Sequence, residues 1–345
     1  MSLHFLEHVR LAPYTTFHIG GPARWFAEAA TEEDIFEAIE FARSRSLPFF
    51  ILGGGSNLLV SDEGFPGLVL HIALRGIEQA YHFFRVAAGE NWEEFVTYAV
   101  AQNYAGIECL AGIPGTVGGT PVQNVGAYGQ EVAETIVAVR AIDLNTLDVR
   151  DLSPDECRFS YRRSIFNSTQ RGRYIVTRVD YALKKDGPAR VAYADLKKQF
   201  AAGSEPSLAE VSSAVRSIRH QKGMLIVDGD PDCRSAGSFF KNPVIGGQHF
   251  SRIAAEYAAR VPTYPAGEGF FKLPAAWLVE QAGFHKGYSL GPAGISSRHT
   301  LALINRGEAC ASDILALRDR IVAVVEQKFS IRLEPEPVFL GPESS

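Results

Sequence analysis

The feature that most limits how this chain can fold is a stretch with no charged side chain, Cys109 to Gln130, reading CLAGIPGTVGGTPVQNVGAYGQ. Six glycines and two prolines interrupt it, so it cannot be a membrane helix. It can form a loop whose backbone comes close to another surface. Gly112, Gly115, Gly118 and Gly119 let amide N–H groups approach an anion, because no Cβ stands in the way. Gln123, Asn124 and Tyr128 add directed hydrogen bonds and a stacking ring. A second glycine turn, GGGSN at Gly53 to Asn57, follows the apolar run FFIL, where phosphate-cradling loops often sit. It fails the dinucleotide fingerprint, since Leu58 occupies the place of the last glycine of GxGxxG, and no GK[ST] follows. Two uncharged glycine loops suit a large cofactor whose diphosphate is held mainly by backbone dipoles.

The rest of the chain is ordinary globular material. Its 345 residues are 46% apolar and 21% charged, enough for two or three domains with real cores. A net charge of -5 gives no basic footprint and argues against nucleic-acid binding. The four cysteines, Cys109, Cys157, Cys233 and Cys310, form no CxxC pair, and none of the nine histidines has metal-site spacing, so neither a metal nor a disulfide framework is expected. The start, MSLHFLEHVRL, is not a signal peptide, and a reducing cytoplasm and no membrane partner are expected.

Helices and strands mix in α+β order. A helix is signalled at TEEDIFEAIEFARSRSLP, with Thr31 as cap and Ile35, Ala38, Ile39 and Ala42 as its buried face. Another begins at Asn91. EVAETIVAVRAIDL and RYIVTRVDYAL read as strands, as does GLVLHIAL. In EPSLAEVSSAVRSIRHQK, Ser207 and Glu210 have capping-box spacing, and Leu208, Val211, Val215 and Ile218 form one stripe. KLPAAWLVEQAG predicts a helix with Pro274 in its first turn. SDILALRDRIVAVVEQKF predicts one capped by Ser312, with Ile314, Leu317, Ile321 and Val324 on one side.

ILGGGSN, GIPGTVGGTPVQNVGAYG, YRRSIF, AGSFFKNP and LEPE occur in the order and spacing of one family. On these motifs the chain resembles the UDP-N-acetylenolpyruvoylglucosamine reductases (MurB) of peptidoglycan precursor synthesis, from TTFHIGGPA through the final LEPE. The resemblance implies an α+β fold in which two small subdomains of the vanillyl-alcohol-oxidase (PCMH) type clasp FAD and a C-terminal α+β domain binds substrate. The expected boundaries are 1–71 and 72–222 for the FAD subdomains, 223–330 for the substrate domain, and 331–345 for a tail returning to the active site. FAD contacts are expected from Ile51, Leu52, Gly53, Gly54, Gly55, Ser56 and Asn57 in the first loop. The second loop would supply Gly112, Ile113, Gly115, Thr116, Gly118, Gly119, Gln123, Gly126 and Tyr128. With no histidine in GGGSN, the FAD is expected to be bound without a covalent link. Thr120 departs from the pattern, standing where a smaller Ala or Ser is expected.

The implied reaction reduces an enolpyruvyl ether to a lactyl ether. NADPH gives hydride to the flavin, the flavin gives it to C3, and the resulting enediolate needs a fixed cation or donor and a proton at C2. Arg162 in YRRSIF matches the family's catalytic arginine, and a guanidinium meets a carboxylate with two parallel hydrogen bonds. Neighbours in a strand point to opposite faces, so only one of Arg162 and Arg163 is expected to enter the pocket. Ser238 matches the proton donor, a neutral acid before a partner as basic as an enediolate carbon. Phe239 and Phe240 would exclude water or fill core, and Lys241 would steady the alkoxide. Glu336 matches the third catalytic residue and is expected to act protonated, as a donor, with Glu334 the residue it could be confused with. Arg219, Lys222 and Asn242 match positions for the substrate diphosphate, Tyr193 a tyrosine carried on an extra segment by one family subtype, and His299 a substrate position. A flavin oxidase of sugars or lactones on the same fold is the alternative, and a catalytically silent nucleotide-sugar or flavin binding protein a further one. A monomer is expected.

Overall fold

Local capping signals start the helices where the sequence places them. Thr31 accepts from the Asp34 amide at 3.1 Å while Asp34 Oδ2 accepts from the Thr31 amide at 2.9 Å, and the helix Glu32–Ser44 buries Ile35, Ala38, Ile39 and Ala42. Ser207 and Glu210 close the same reciprocal box on the helix Leu208–Gln221, whose buried side includes Leu208, Val211, Val215 and Ile218. Asn91 caps Trp92–Ala101. These elements come from a computed structural model that describes residues 3–257 and 261–341; residues 1, 2 and 342–345, which fall in the expected first subdomain and tail, lie outside the described residues.

The chain divides into two compact units, the first made of Met1–Val9, Ala23–Gly55 and Pro66–Leu225. A four-stranded sheet runs in the order Leu6–Arg10, Pro22–Ala29, Phe65–Ile72, Phe49–Leu52, the last pair parallel with Phe49 opposite Leu68. A five-stranded antiparallel sheet runs in the order Val149–Leu152, Ile136–Asp143, Tyr174–Ala182, Phe83–Ala87, Ile77–Ala80. Val139, Val179 and Val86 stand in register across its three central strands, all fully buried, as the alternating pattern requires. One core serves both sheets: Leu68 and Leu70 from the first, Phe84, Val179 and Tyr181 from the second, and Trp92 and Phe95 from the intervening helix. The strand read at EVAETIVAVR begins only at Ile136, because Val132–Glu134 forms a 3-10 turn.

The second unit comprises Arg10–Pro22, Ser56–Phe65 and Ile226–Ser345. Its N-terminal pieces are held by pairing that no local pattern announces. Leu58–Val60 lies parallel to Val338–Leu340, and Asn305 Nδ2 donates to the Phe17 carbonyl at 3.0 Å. The long helix Ala311–Phe329 starts with Cys310 as its cap, not Ser312. The reason is Asp62, whose carboxylate accepts from the Ala311 and Ser312 amides at 2.6 and 3.0 Å and so occupies the helix's positive end. The buried stripe runs through Ile314, Leu317, Ile321 and Val325, one position beyond the expected Val324. Pro274 sits just before the helix Ala275–Gln281 rather than inside its first turn. Among the described residues no helix is long and apolar enough to cross a membrane.

Ser207→Ala removes the cap oxygen of Leu208–Gln221 and is expected to lower stability by about 1 kcal/mol, read as a shifted denaturant midpoint at constant slope.

Candidate active site

In the first unit the two glycine loops meet backbone to backbone. A Cβ placed on Gly54 would lie 2.6 Å from the Gly115 Cα, and one on Gly53 would lie 3.0 Å from the Thr116 hydroxyl oxygen. Only glycine fits at Gly54. Among the described residues, the amides of Gly53, Gly54 and Gly55 find no backbone acceptor, although Gly55 is buried. Buried N–H groups are seldom left without a partner, so this donor set fits a bound diphosphate. Ile51 and Leu52 end the strand that delivers the turn. Behind the second loop, the Gly118 amide donates to the Ala88 carbonyl at 2.8 Å and that of Val117 to Glu90 at 2.9 Å, which hold the chain while Gly119 faces open space. Thr120 is accommodated by burying its hydroxyl, which donates to the Val117 carbonyl and meets the Tyr181 hydroxyl, each at 2.8 Å. Gly112, at φ +72°, is clamped on both sides: Glu93 accepts from its amide and Arg219 Nε donates to its carbonyl at 2.9 Å.

Tyr128 and Gly129 form the two-residue turn of a hairpin in which Gly126–Ala127 pairs with Gln130–Glu131. Both turn residues have positive φ, +49° and +86°, as a type I′ turn demands. The Tyr128 ring meets Tyr193 edge-on at 5.6 Å. Around the two rings stand the cations. Arg219 is 9% exposed, and its Nη2 donates to the Met224 carbonyl at 2.8 Å; burial pushes its guanidinium below the ordinary value, while Tyr128 and Glu93 work the other way. Burial also pushes the Tyr128 phenol up, against the pull of Arg219 and Lys222. Lys222 Nζ lies 2.9 Å from Asp195 Oδ2. Burial disfavours its charged form, yet Asp195 and Tyr128 hold it above its ordinary value, and Lys222 holds the Asp195 carboxyl low. Asp195, which fixes Lys222, is not singled out by the sequence.

Arg162 does not lie on a strand. Ser160 and Arg163 exchange backbone hydrogen bonds at 2.9 and 3.0 Å, which makes Tyr161 and Arg162 the tip of a tight turn with Arg162 at φ +55°. The two arginines are therefore separated by the turn and not by strand alternation: Arg162 is half-buried and Arg163 exposed. The turn is held by Asn124 Nδ2, which donates to the Ser160 carbonyl at 3.1 Å, and by Asn167 Nδ2, which donates to the Arg162 carbonyl at 3.1 Å. A non-glycine residue at positive φ costs about 1 kcal/mol or more and persists only where its surroundings enforce it.

Ser238 and Glu336 belong to the second unit and are brought together there. Phe240 bridges Pro335, the Glu336 amide donates to the Phe239 carbonyl at 2.8 Å, and the Lys241 amide donates to the Glu334 carbonyl at 3.0 Å. Ser238 is half-buried, and among the described residues its hydroxyl is bonded to no protein group. Phe239 and Phe240 are core, each 2% exposed and in edge contact at 5.3 Å. Lys241 Nζ pairs with Glu334 at 2.7 Å, which ties that lysine to a surface carboxylate and distinguishes Glu334 from the half-buried Glu336. Asn57 continues the first glycine turn into this unit; its Nδ2 donates to the Glu336 carbonyl at 3.4 Å. Asn242 Oδ1 accepts from the Ala275 amide at 2.8 Å, which fixes the amide orientation and so the direction in which Nδ2 donates. His299 Nδ1 accepts from the Leu301 amide at 3.0 Å, which leaves the neutral ring's proton on Nε2.

A mixed fold with paired glycine loops of this kind defines an FAD-binding flavoprotein, and residues 23–149 match the family model described as FAD binding domain. Residues 230–340 match the model described as UDP-N-acetylenolpyruvoylglucosamine reductase, C-terminal domain. Proteins named UDP-N-acetylenolpyruvoylglucosamine reductase from Thermobifida fusca and Streptomyces coelicolor are 42% and 45% identical, covering 99% and 97% of this chain and 99% and 90% of their own. The crystal structure of the reductase (MurB) from Thermus caldophilus superposes with a TM-score of 0.67 at 27% identity, covering 99% of this chain and 100% of that one. The chain belongs to the UDP-N-acetylenolpyruvoylglucosamine reductase family, the oxidoreductases of peptidoglycan precursor synthesis.

Gly54→Ala should yield a folded protein that purifies without the yellow colour of bound flavin, because its methyl group must displace the Gly115 backbone. Retention of flavin at the native stoichiometry would show that the loops do not need that approach.

Proposed function

We propose that this protein reduces UDP-N-acetylglucosamine enolpyruvate to UDP-N-acetylmuramate with NADPH as the reductant, as a cytoplasmic monomer, with residues 1–71 and 72–222 serving FAD, 223–330 the substrate, and 331–345 completing the site. FAD, when bound, takes hydride from NADPH and supplies it to C3 of the enolpyruvyl group. Seven residues of the first loop would hold it (Ile51 to Asn57), with Gly112, Ile113, Gly115, Thr116, Gly118, Gly119, Gln123, Gly126 and Tyr128 of the second.

The residues of this chain handle the charge and the proton. The Arg162 guanidinium grips the substrate carboxylate and steadies the negative charge that gathers there. Glu336 donates a hydrogen bond to the same group in its acid form, since a second anion would oppose the developing charge. The Ser238 hydroxyl gives its proton to C2, a transfer that runs downhill because an enediolate carbon is far more basic than an alkoxide. Arg219, Lys222 and Asn242 bind the diphosphate, Tyr193 covers the substrate, and His299 donates to it from Nε2.

The observation that most supports this reading is the Ser238 hydroxyl, half-buried and, among the described residues, bonded to no protein group, on a chain segment paired with the one that carries Glu336. A serine that merely shaped a turn would be expected to spend its hydroxyl on a neighbouring amide or carbonyl.

Two half-reactions test the proposal. NADPH should bleach the flavin anaerobically, and the enolpyruvyl substrate should restore its colour; no recolouring in the native protein would remove the assignment. In Ser238→Ala the first step should be untouched and the second slowed by on the order of 10²–10⁴-fold, the range of a lost general acid. An unimpaired second step would exclude Ser238. Glu336→Gln should keep more activity than Glu336→Ala, and equal losses would count against donation by that side chain.

A further inference from the structure

A fully buried carboxylate lies behind the tyrosine pair, away from the groups assigned to the reaction. Glu108 is 0% exposed. Its Oε2 accepts from the Gly106 amide at 2.8 Å, and its Oε1 accepts both from Gln130 Nε2 at 2.7 Å and from the Arg190 amide at 2.9 Å. Three donors compensate the cost of burying the charged group, so the carboxylate is settled in place. Two of those donors belong to the segments that carry the tyrosines. Gln130 pairs with Ala127 at the foot of the Tyr128–Gly129 turn, and its Oε1 accepts from the Cys109 amide at 2.8 Å. Arg190 stands three residues before Tyr193, and its carbonyl accepts from Cys109 Sγ at 3.1 Å. Both polar groups of the Arg190 backbone are thus committed to the core around Glu108. Gly129 packs towards the same segment, where a Cβ on it would lie 3.5 Å from that of Ala192.

We propose that Glu108 is a positioning residue for substrate binding: by joining the Gln130 hairpin foot to the Arg190 amide it fixes Tyr193 against Tyr128. The proposal rests on the assignment of Tyr193 to the substrate given above. Segment 187–193 contributes Val191 and Tyr193 as half-buried or exposed side chains and has no strand or helix of its own. Without the buried anchor, ordering that stretch would fall to substrate, and the conformational cost would appear as lost affinity.

The test uses the FAD-loaded full chain and three variants. Glu108→Leu removes every acceptor, Glu108→Gln keeps the oxygen that serves Gln130 and Arg190, and Arg190→Pro deletes the anchored amide, together with the exposed side-chain pair to Glu134, while keeping Glu108 itself. Glu108→Leu and Arg190→Pro should raise the KM for the enolpyruvyl substrate about tenfold while NADPH bleaches the flavin at the native rate, and Glu108→Gln should stay within about threefold of native. Hydrogen exchange at 191–197 should rise in Glu108→Leu and Arg190→Pro and not in Glu108→Gln. If Glu108→Leu does not fold, Arg190→Pro carries the test alone. A native KM in Arg190→Pro, or a bleaching rate that falls in step with substrate turnover, would overturn the proposal. Should the native protein fail to turn over this substrate, the proposed function is what fails, and the exchange measurements still decide whether Glu108 anchors the segment.

Discussion

The contact of Gly53 and Gly54 with Gly115 and Thr116 is the constraint on which the first unit's function-bearing surface depends. Two loops from different sheets can touch through their backbones only if neither carries a Cβ at the point of contact, and the 2.6 Å approach at Gly54 leaves no room for one. That approach puts the amides of both loops in one place without spending a charged side chain. The absence of charge between Cys109 and Gln130 suits the diphosphate proposed for this cradle, since a lysine would fill it and an aspartate would oppose the anion.

The charged groups are placed one layer further out, and each is fixed by a partner. Glu93 and Arg219 hold the two polar groups of Gly112, Asp195 holds Lys222, and Glu108 ties the tyrosine segments together. Among the non-glycine residues of this unit that adopt positive φ are Asn124, Tyr128 and Arg162. They are connected: Asn124 donates to the Ser160 carbonyl at the base of the turn bearing Arg162, and its Oδ1 accepts from the Ala133 amide just beyond the Tyr128 hairpin. Strained backbone at these positions is held by side-chain hydrogen bonds, which is how a turn can present a large side chain in a direction that a strand would not.

What could be read from the sequence was what is decided locally. The capping boxes at Thr31 and Ser207 involve residues three apart, and the helix stripes follow from the 3.6-residue period. What could not be read was set by partners far away in the chain. Cys310 replaces Ser312 as the cap because Asp62 takes the first amides of that helix, and segments 10–22 and 56–65 join the second unit through pairing with residues near 300 and 340. The turn that carries Arg162 in YRRSIF was not legible, since the residues that enforce it, Asn124 and Asn167, lie on either side at different separations. Glu108 left one sign, a lone acid between Ile107 and Cys109 at the edge of the uncharged stretch, and an isolated charge in apolar surroundings is more informative than a charge in a polar run.

The second unit shows why a serine suits its position. Gly237 at φ +71° turns the chain, Phe239 and Phe240 bury themselves in the core, and the Phe239 amide is taken by the Leu301 carbonyl at 2.8 Å. Ser238 is therefore fixed by its neighbours and contributes nothing to its own placement, so its hydroxyl needs no protein partner. A histidine or carboxylic acid at the same point would bring charge or bulk beside Glu336 before any substrate arrived. A hydroxyl brings neither, and in the reaction proposed above its weakness as an acid is immaterial against a carbon base. The fold thus assigns rigidity to the phenylalanines and the paired tail, and the small neutral group carries none of that structural duty.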